Sequence, residues 1–160
     1  MLKHLSLNIF TTITLITGSL TAFASDTHAG PEKDTRQAIT LGAEEKSFLL
    51  SEMRHFLVIT QRILAASQQG DMQAVAKAAR EGGLIAHQDD FANPDSPVHR
   101  IRKAAPPEFF PLGKGTHQAF DHLAESALQT GDKDVVNRLL AENLQRCVAC
   151  HASYRVEEKR

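Results

Sequence analysis

The chain has 160 residues and nearly balanced charge, with 18 lysines and arginines against 19 aspartates and glutamates and a formal net charge of −1 at pH 7. It therefore lacks the excess of basic side chains that nucleic-acid binding requires. A single tyrosine and no tryptophan, together with few β-branched runs, disfavour an all-β domain.

The start of the chain has the features of an export signal. A short basic segment is followed by an apolar run from Leu5 to Leu20, and Ala22-Phe23-Ala24 supplies a cleavage site with small residues at the required positions. Several threonines dilute the apolar run, which is also short for a helix that spans a bilayer. We therefore expect a signal peptide over residues 1–24 and no membrane span after its cleavage; an uncleaved anchor is the alternative.

The next segment is polar and contains Gly30-Pro31, so residues 25–40 are expected to form a flexible leader. We expect a folded domain over residues 41–157. Its first helix is predicted over residues 44–69, because apolar side chains recur there at helical spacing and Gly70 can end the helix. The residues of this stripe are Leu49, Leu50, Met53, Phe56, Leu57, Thr60, Ile63 and Leu64.

Three further helices are predicted. Asp71 is a suitable N-cap for the second, which Gly82-Gly83 would end. Five prolines between Leu84 and Gly115 exclude a long helix there and predict a long connection that crosses a helical bundle. A third apolar stripe begins near Phe120, and Asp132 would cap the fourth helix. The sequence therefore predicts an all-α protein, an antiparallel four-helix bundle.

The fourth helix contains the most specific motif, Cys147-Val148-Ala149-Cys150-His151, which includes both cysteines of the chain. This run is a c-type haem attachment signal, because two thiols can add to the haem vinyl groups while the neighbouring imidazole binds the iron. On a helix the three side chains would share one face. A thioredoxin-like pair would need a βαβ pattern, a zinc site would need more ligands, and a disulfide would be poorly shaped.

A helical bundle with this motif near the end of its last helix resembles the class II cytochromes c, the group of cytochrome c′ and its methionine-ligated, low-spin relatives. The resemblance covers roughly residues 41–157, and its most specific part runs from Cys147 to Arg155. Class I cytochromes carry the attachment motif near the N-terminus instead. The position of the motif therefore favours class II.

The resemblance implies one covalent haem c per chain, attached through Cys147 and Cys150 with His151 as the proximal iron ligand. It also implies a bacterial periplasmic location, where haem is joined to reduced thiols. Arg155 matches a basic residue that follows this histidine in the family and would lie beside the proximal face or a propionate; a solvated arginine at a helix end is the alternative. Tyr154 is expected to pack.

The second axial position decides the function. Met53 lies where the methionine-ligated relatives have their distal ligand, and we expect it to bind the iron, with core packing as the alternative. Met72 is a weaker candidate, and His55 would point away from Met53 on the same helix. His117 could line the edge of the core, where a lone histidine more often has a structural role.

An iron bound by His151 and Met53 would have no open site, so we expect an electron carrier rather than an enzyme. Redox partner proteins would make small, transient contacts with the haem edge. The alternative is a five-coordinate protein that binds nitric oxide or carbon monoxide, with Phe56 or Leu57 shielding the distal face. The family resemblance also implies a possible homodimer through the first two helices. The surface around the haem edge is expected to carry mixed charge, from residues such as Lys103, Lys114, Arg146 and Arg155.

Overall fold

The computed structural model describes residues 33–160, so the predicted signal peptide and the first half of the predicted leader lie outside the described residues. The described part is mainly helical, which confirms the predicted fold class at this level, but it also contains two strands that were not predicted. No helix within it is long and apolar enough to cross a membrane. The elements in chain order are β1 (Gln37–Leu41), α1 (Ala43–Gln68), α2 (Met72–Glu81), α3 (Gln88–Ala92), α4 (Pro97–Ala104), α5 (Phe109–Thr130), α6 (Lys133–Ser153) and β2 (Tyr154–Glu158).

Two short turns join the long helices as the sequence predicts. Gly70 after α1 and Gly131 after α5 have φ angles of 72° and 62°, a left-handed conformation that glycine adopts without steric cost. Asp71 and Asp132 then cap the next helices, where their carboxylates accept backbone N–H groups at 2.9 and 2.8 Å. These local signals therefore fix the ends of α1 and α5 and the starts of α2 and α6.

The connection between α2 and α5 is more ordered than the prolines suggested. It contains two short helices, and α4 begins at Pro97 with its backbone capped by the Ser96 hydroxyl. The third long helix begins at Phe109, well before the predicted start after Gly115. Pro111 is its third residue, a position where the backbone N–H has no helical partner, so the proline costs no hydrogen bond. The prediction that no long helix enters the segment before Gly115 was therefore wrong for its last residues.

The four longer helices share one core. α1 packs on α2, α2 on α5 and α5 on α6, while α6 and α1 make a smaller contact. Their facing side chains are almost completely buried, and each large one contributes roughly 1.5–3 kcal/mol through removal of apolar surface from water. The largest side chains of this main cluster are Phe56, Ile59, Ile63, Val75, Phe120, Leu123, Val136 and Leu140.

The two strands form a parallel pair, with Gln37 opposite Tyr154 and Leu41 opposite Glu158. Ile39 and Leu41 are each only 1% exposed and belong to a second apolar cluster with Ile101 and Phe109. Burial of alternate side chains holds this segment in place, so residues 37–40 are a strand and not part of a flexible leader. The compact unit consequently begins at Asp34.

The second strand also corrects the end of the last helix. α6 ends at Ser153, and its apolar stripe does not continue as a helix to residue 157. Tyr154 and Arg155 therefore lie on β2. Arg36 fixes this transition, because its guanidinium donates hydrogen bonds to the backbone oxygens of His151 and Tyr154 at 3.2 and 3.5 Å. The segment before β1 thus holds the end of the helix that carries the attachment motif.

Candidate haem-binding site

The attachment motif lies on the last two turns of α6, and its three functional side chains line one cavity. Cys147, Cys150 and His151 are brought together there, as their spacing on a helix predicts. Both cysteines are unbonded and half-buried, whereas Val148 between them is 69% exposed. The helix therefore turns the two thiols and the imidazole toward the cavity and its intervening residues toward solvent.

Burial keeps both thiols in their neutral form. Desolvation raises the pKa of Cys147 and of Cys150 above the ordinary value for a thiol. The neighbouring sulfur of Cys147 raises the pKa of Cys150 further, because two thiolates so close together would repel each other. The raised pKa favours the protonated thiols, and the two cysteines are not joined by a disulfide.

The remaining walls of the cavity are mainly apolar. Helix α1 contributes Met53 and Phe56 among others, and the connection between α2 and α5 contributes Phe91, Val98 and Ile101. The cavity has a volume of about 110 Å³, which is below the range of roughly 300–1,000 Å³ that is usual for cofactor pockets, and it opens to solvent. The fit to a haem therefore depends on the side chains and not on the volume: two thiols and one imidazole lie on a single wall of a mainly apolar cavity, as a large, flat, apolar group attached at its edge requires.

The three residues predicted on the distal side, Met53, Phe56 and Leu57, differ in whether they line the cavity. Phe56 lines the cavity and is nearly buried, and Met53 lines it while packing against the main core cluster. Leu57, the other candidate for shielding the distal face, is 71% exposed and does not line the cavity. The reason is helical geometry, since Leu57 follows Phe56 and therefore projects about 100° further around α1.

Tyr154 and Arg155 lie behind the cavity rather than in it. The Tyr154 ring packs edge-on against Phe109, with 5.5 Å between ring centroids, as its predicted packing role requires. Arg155 is ion-paired with Glu157 and donates a hydrogen bond to the backbone oxygen of Arg36 at 3.2 Å. It thus joins the two strands and does not line the cavity, so the structure does not support the predicted contact with a haem.

Two basic residues reach the cavity. Lys114 on α5 and Arg146 on α6 line it, whereas Lys103 and Arg155 do not. Arg146 lies close to α5 because Gly115 has no side chain; a Cβ at that position would be 3.3 Å from the guanidinium. Both could pair with carboxylates of a bound group, and Glu52 on α1 adds a negative charge to the lining.

The cavity is also lined by His117, for which a structural role was predicted. His117 on α5 is 9% exposed, and its Nδ1 atom donates a hydrogen bond to the backbone oxygen of Gly82 at 2.8 Å. Burial lowers the pKa of His117, so its imidazole is neutral. One feature of the sequence indicates that His117 is buried. It lies one turn before Phe120 on the third apolar stripe, and this spacing places it on the core side of the helix.

Comparison of the chain with models of protein families, with curated proteins and with solved structures gives no match. Assignment of the site therefore rests on the cavity and its residues. Within residues 33–160, no cluster of three or more His, Cys, Asp or Glu side chains is arranged to hold a bare metal ion. The donors in the cavity suit the two axial positions of an iron whose other ligands come from a macrocycle.

Proposed function

We propose that this protein is an exported c-type cytochrome with one covalent haem c, and that it carries electrons. The proposal depends above all on the position of Cys147, Cys150 and His151 on one wall of an apolar cavity. The two thiols would form the thioether bonds and His151 would be the proximal ligand. Haem c, when bound, supplies an iron that changes by one electron between its ferric and ferrous forms.

The helical arrangement supports the resemblance to class II cytochromes c. Short turns join α1 to α2 and α5 to α6, and the four helices contact each other in sequence, as the predicted antiparallel four-helix bundle requires. The attachment motif at the end of α6 fits a haem on the C-terminal helix. The parallel strand pair was not expected in an all-α bundle. It bears most directly on Arg155, which lies on β2 and not on the last helix.

Electron transfer is favoured over ligand binding because the cavity contains more than one possible second axial ligand. Met53, predicted from the sequence, has a thioether on the α1 wall, and His117 has an imidazole on the α5 wall. An iron closed on both sides has no position for a substrate or a gas. The alternative, a five-coordinate protein that binds or sequesters nitric oxide or carbon monoxide, requires both side chains to stay away from the iron.

The surroundings of the motif suit transient contacts with redox partner proteins. His151 lines the cavity and is exposed, so the edge of a haem attached there would be close to solvent. The export signal expected over residues 1–24 supports a periplasmic location. Exposed apolar side chains on α1, namely Leu57, Val58 and Leu64, support the possible homodimer through the first two helices.

The test is expression of the full chain in a bacterium that has haem-attachment machinery. We expect one haem per chain that resists acid–acetone extraction, and none in the Cys147→Ser, Cys150→Ser double variant. Addition of carbon monoxide to the ferrous protein should leave the low-spin spectrum unchanged. A shifted spectrum would instead support the gas-binding alternative, and a wild-type chain without covalent haem would overturn the proposal.

A further inference from the structure

His117 is held in a rigid, mostly aromatic environment at the inner end of the cavity. Its ring lies edge-on to Phe56 and Phe91, with 5.1 and 5.9 Å between centroids, and 4.8 Å from the ring of His87. These contacts come from α1 and from the connection between α2 and α5. The imidazole is therefore oriented by neighbours on several elements and has little freedom to rotate.

The hydrogen bond to Gly82 determines which ring nitrogen is free. A backbone oxygen can only accept, so Nδ1 of His117 carries the proton and Nε2 carries the lone pair. Gly82 does not line the cavity, and Nδ1 therefore points away from it. Within residues 33–160, no hydrogen bond is made to Nε2. Metal-bound histidines have this same arrangement, with one ring nitrogen fixed by a backbone oxygen and the other on the metal.

The acceptor itself is also held firmly. Gly82 ends α2 at a point where the chain touches two other helices, and a Cβ added there would be 2.9 Å from the Phe120 ring and 3.0 Å from the Ile59 side chain. A larger residue at this position would force the Phe120 ring or the Ile59 side chain to shift. The close packing fixes the backbone oxygen, and through it the orientation of the His117 ring.

We infer that His117 is the second axial ligand of the haem iron, opposite His151, so that two imidazoles close the iron. This inference rests on the proposed haem site and identifies its ligand set. Met53 is the competing donor, but its side chain already packs against the main core cluster, and among the described residues no hydrogen bond orients its thioether. A second imidazole also has a direct consequence, since a thioether ligand raises the reduction potential of a haem more than an imidazole does.

The test compares three single variants of the haem-loaded full chain. In His117→Ala we expect a high-spin ferric spectrum, and we expect its ferrous form to bind carbon monoxide. Added imidazole should restore the low-spin spectrum of this variant, a rescue that a purely structural role would not produce. Met53→Leu should keep the low-spin ferric spectrum, and its charge-transfer bands should be the same as those of the wild type. His122→Ala, an exposed histidine on the same helix, is the matched control and should leave both properties unchanged.

Electron paramagnetic resonance and near-infrared magnetic circular dichroism of the wild-type ferric protein give an independent answer, because bis-imidazole and imidazole–thioether iron differ in both. A thioether signature that disappears in Met53→Leu would overturn the inference and leave the proposed cytochrome function intact. A five-coordinate wild-type protein would also overturn it. If His117→Ala fails to fold, the paramagnetic resonance and dichroism spectra of the wild type distinguish the two ligand sets. Absence of covalent haem in the wild type would remove the proposed function and this inference together.

Discussion

The strand β1 offers the sharpest test of the fold, because the sequence predicts a flexible leader where the structure has a buried strand. Ile39 lies in the middle of this strand and is 1% exposed. In Ile39→Ala, loss of three buried carbons removes about 2.4 kcal/mol of transfer free energy, at about 0.8 kcal/mol for each. The cavity left behind adds to this cost, so we expect a loss of about 3 kcal/mol within a typical range of roughly 2–5 kcal/mol.

Urea denaturation followed by far-ultraviolet circular dichroism measures this change. A loss of about 3 kcal/mol is a large part of the roughly 5–15 kcal/mol that stabilises an ordinary domain. Gln37→Ala is the matched control, since it removes an exposed side chain from the same strand and should change the free energy of unfolding by less than about 0.5 kcal/mol. If Ile39→Ala were as mild as this control, the segment would behave as a flexible leader and the role assigned to β1 would be refuted.

Two further predictions concern charge. The Arg36 guanidinium lowers the pKa of Asp34 from 3.8 to about 2, so the stability this carboxylate contributes is complete above about pH 4 and disappears as the pH falls through about 2. The difference in thermal midpoint between wild type and Asp34→Asn should therefore shrink between about pH 5 and about pH 2; a constant difference would contradict it. In the haem-loaded protein, Lys114→Gln and Arg146→Gln should each lower the reduction potential by roughly 20 mV, or about 0.5 kcal/mol, because a nearby cation favours the ferrous form. Lys103→Gln, which lies away from the cavity, should have a smaller effect in the same voltammetry, and equal effects would argue against the cavity location.

Local signals account for what the sequence predicted correctly. Helical periodicity, with Gly70, Asp71, Gly131 and Asp132 at the turns, defined the ends of α1 and α5 and the starts of α2 and α6 within one or two residues. The same periodicity placed the thiols and the imidazole of the attachment motif on one face. These features depend on neighbours three or four positions apart, and such short-range relations are visible in a single sequence.

The features that were missed depend on contacts between distant residues. Parallel pairing of β1 with β2 joins segments that are more than a hundred positions apart, and each strand is too short to show a clear alternating pattern. Pro111 was taken as a helix breaker, although a proline in the first turn is compatible with a helix. His117 gained its candidate role only from the cavity and from the oxygen of Gly82, which no spacing along α5 could indicate.

The connection between α2 and α5 explains why a cavity exists at the end of α6. Helix α1 packs closely on α2 but makes only a smaller contact with α6, and this leaves space between them at the level of the attachment motif. The connection contributes Phe91, Val98 and Ile101 to the walls of that space. Its prolines prevent one long helix that would bridge the connection and instead favour short helices that follow the rim. The segment that looked like a simple crossover in the sequence is therefore a structural part of the proposed haem site.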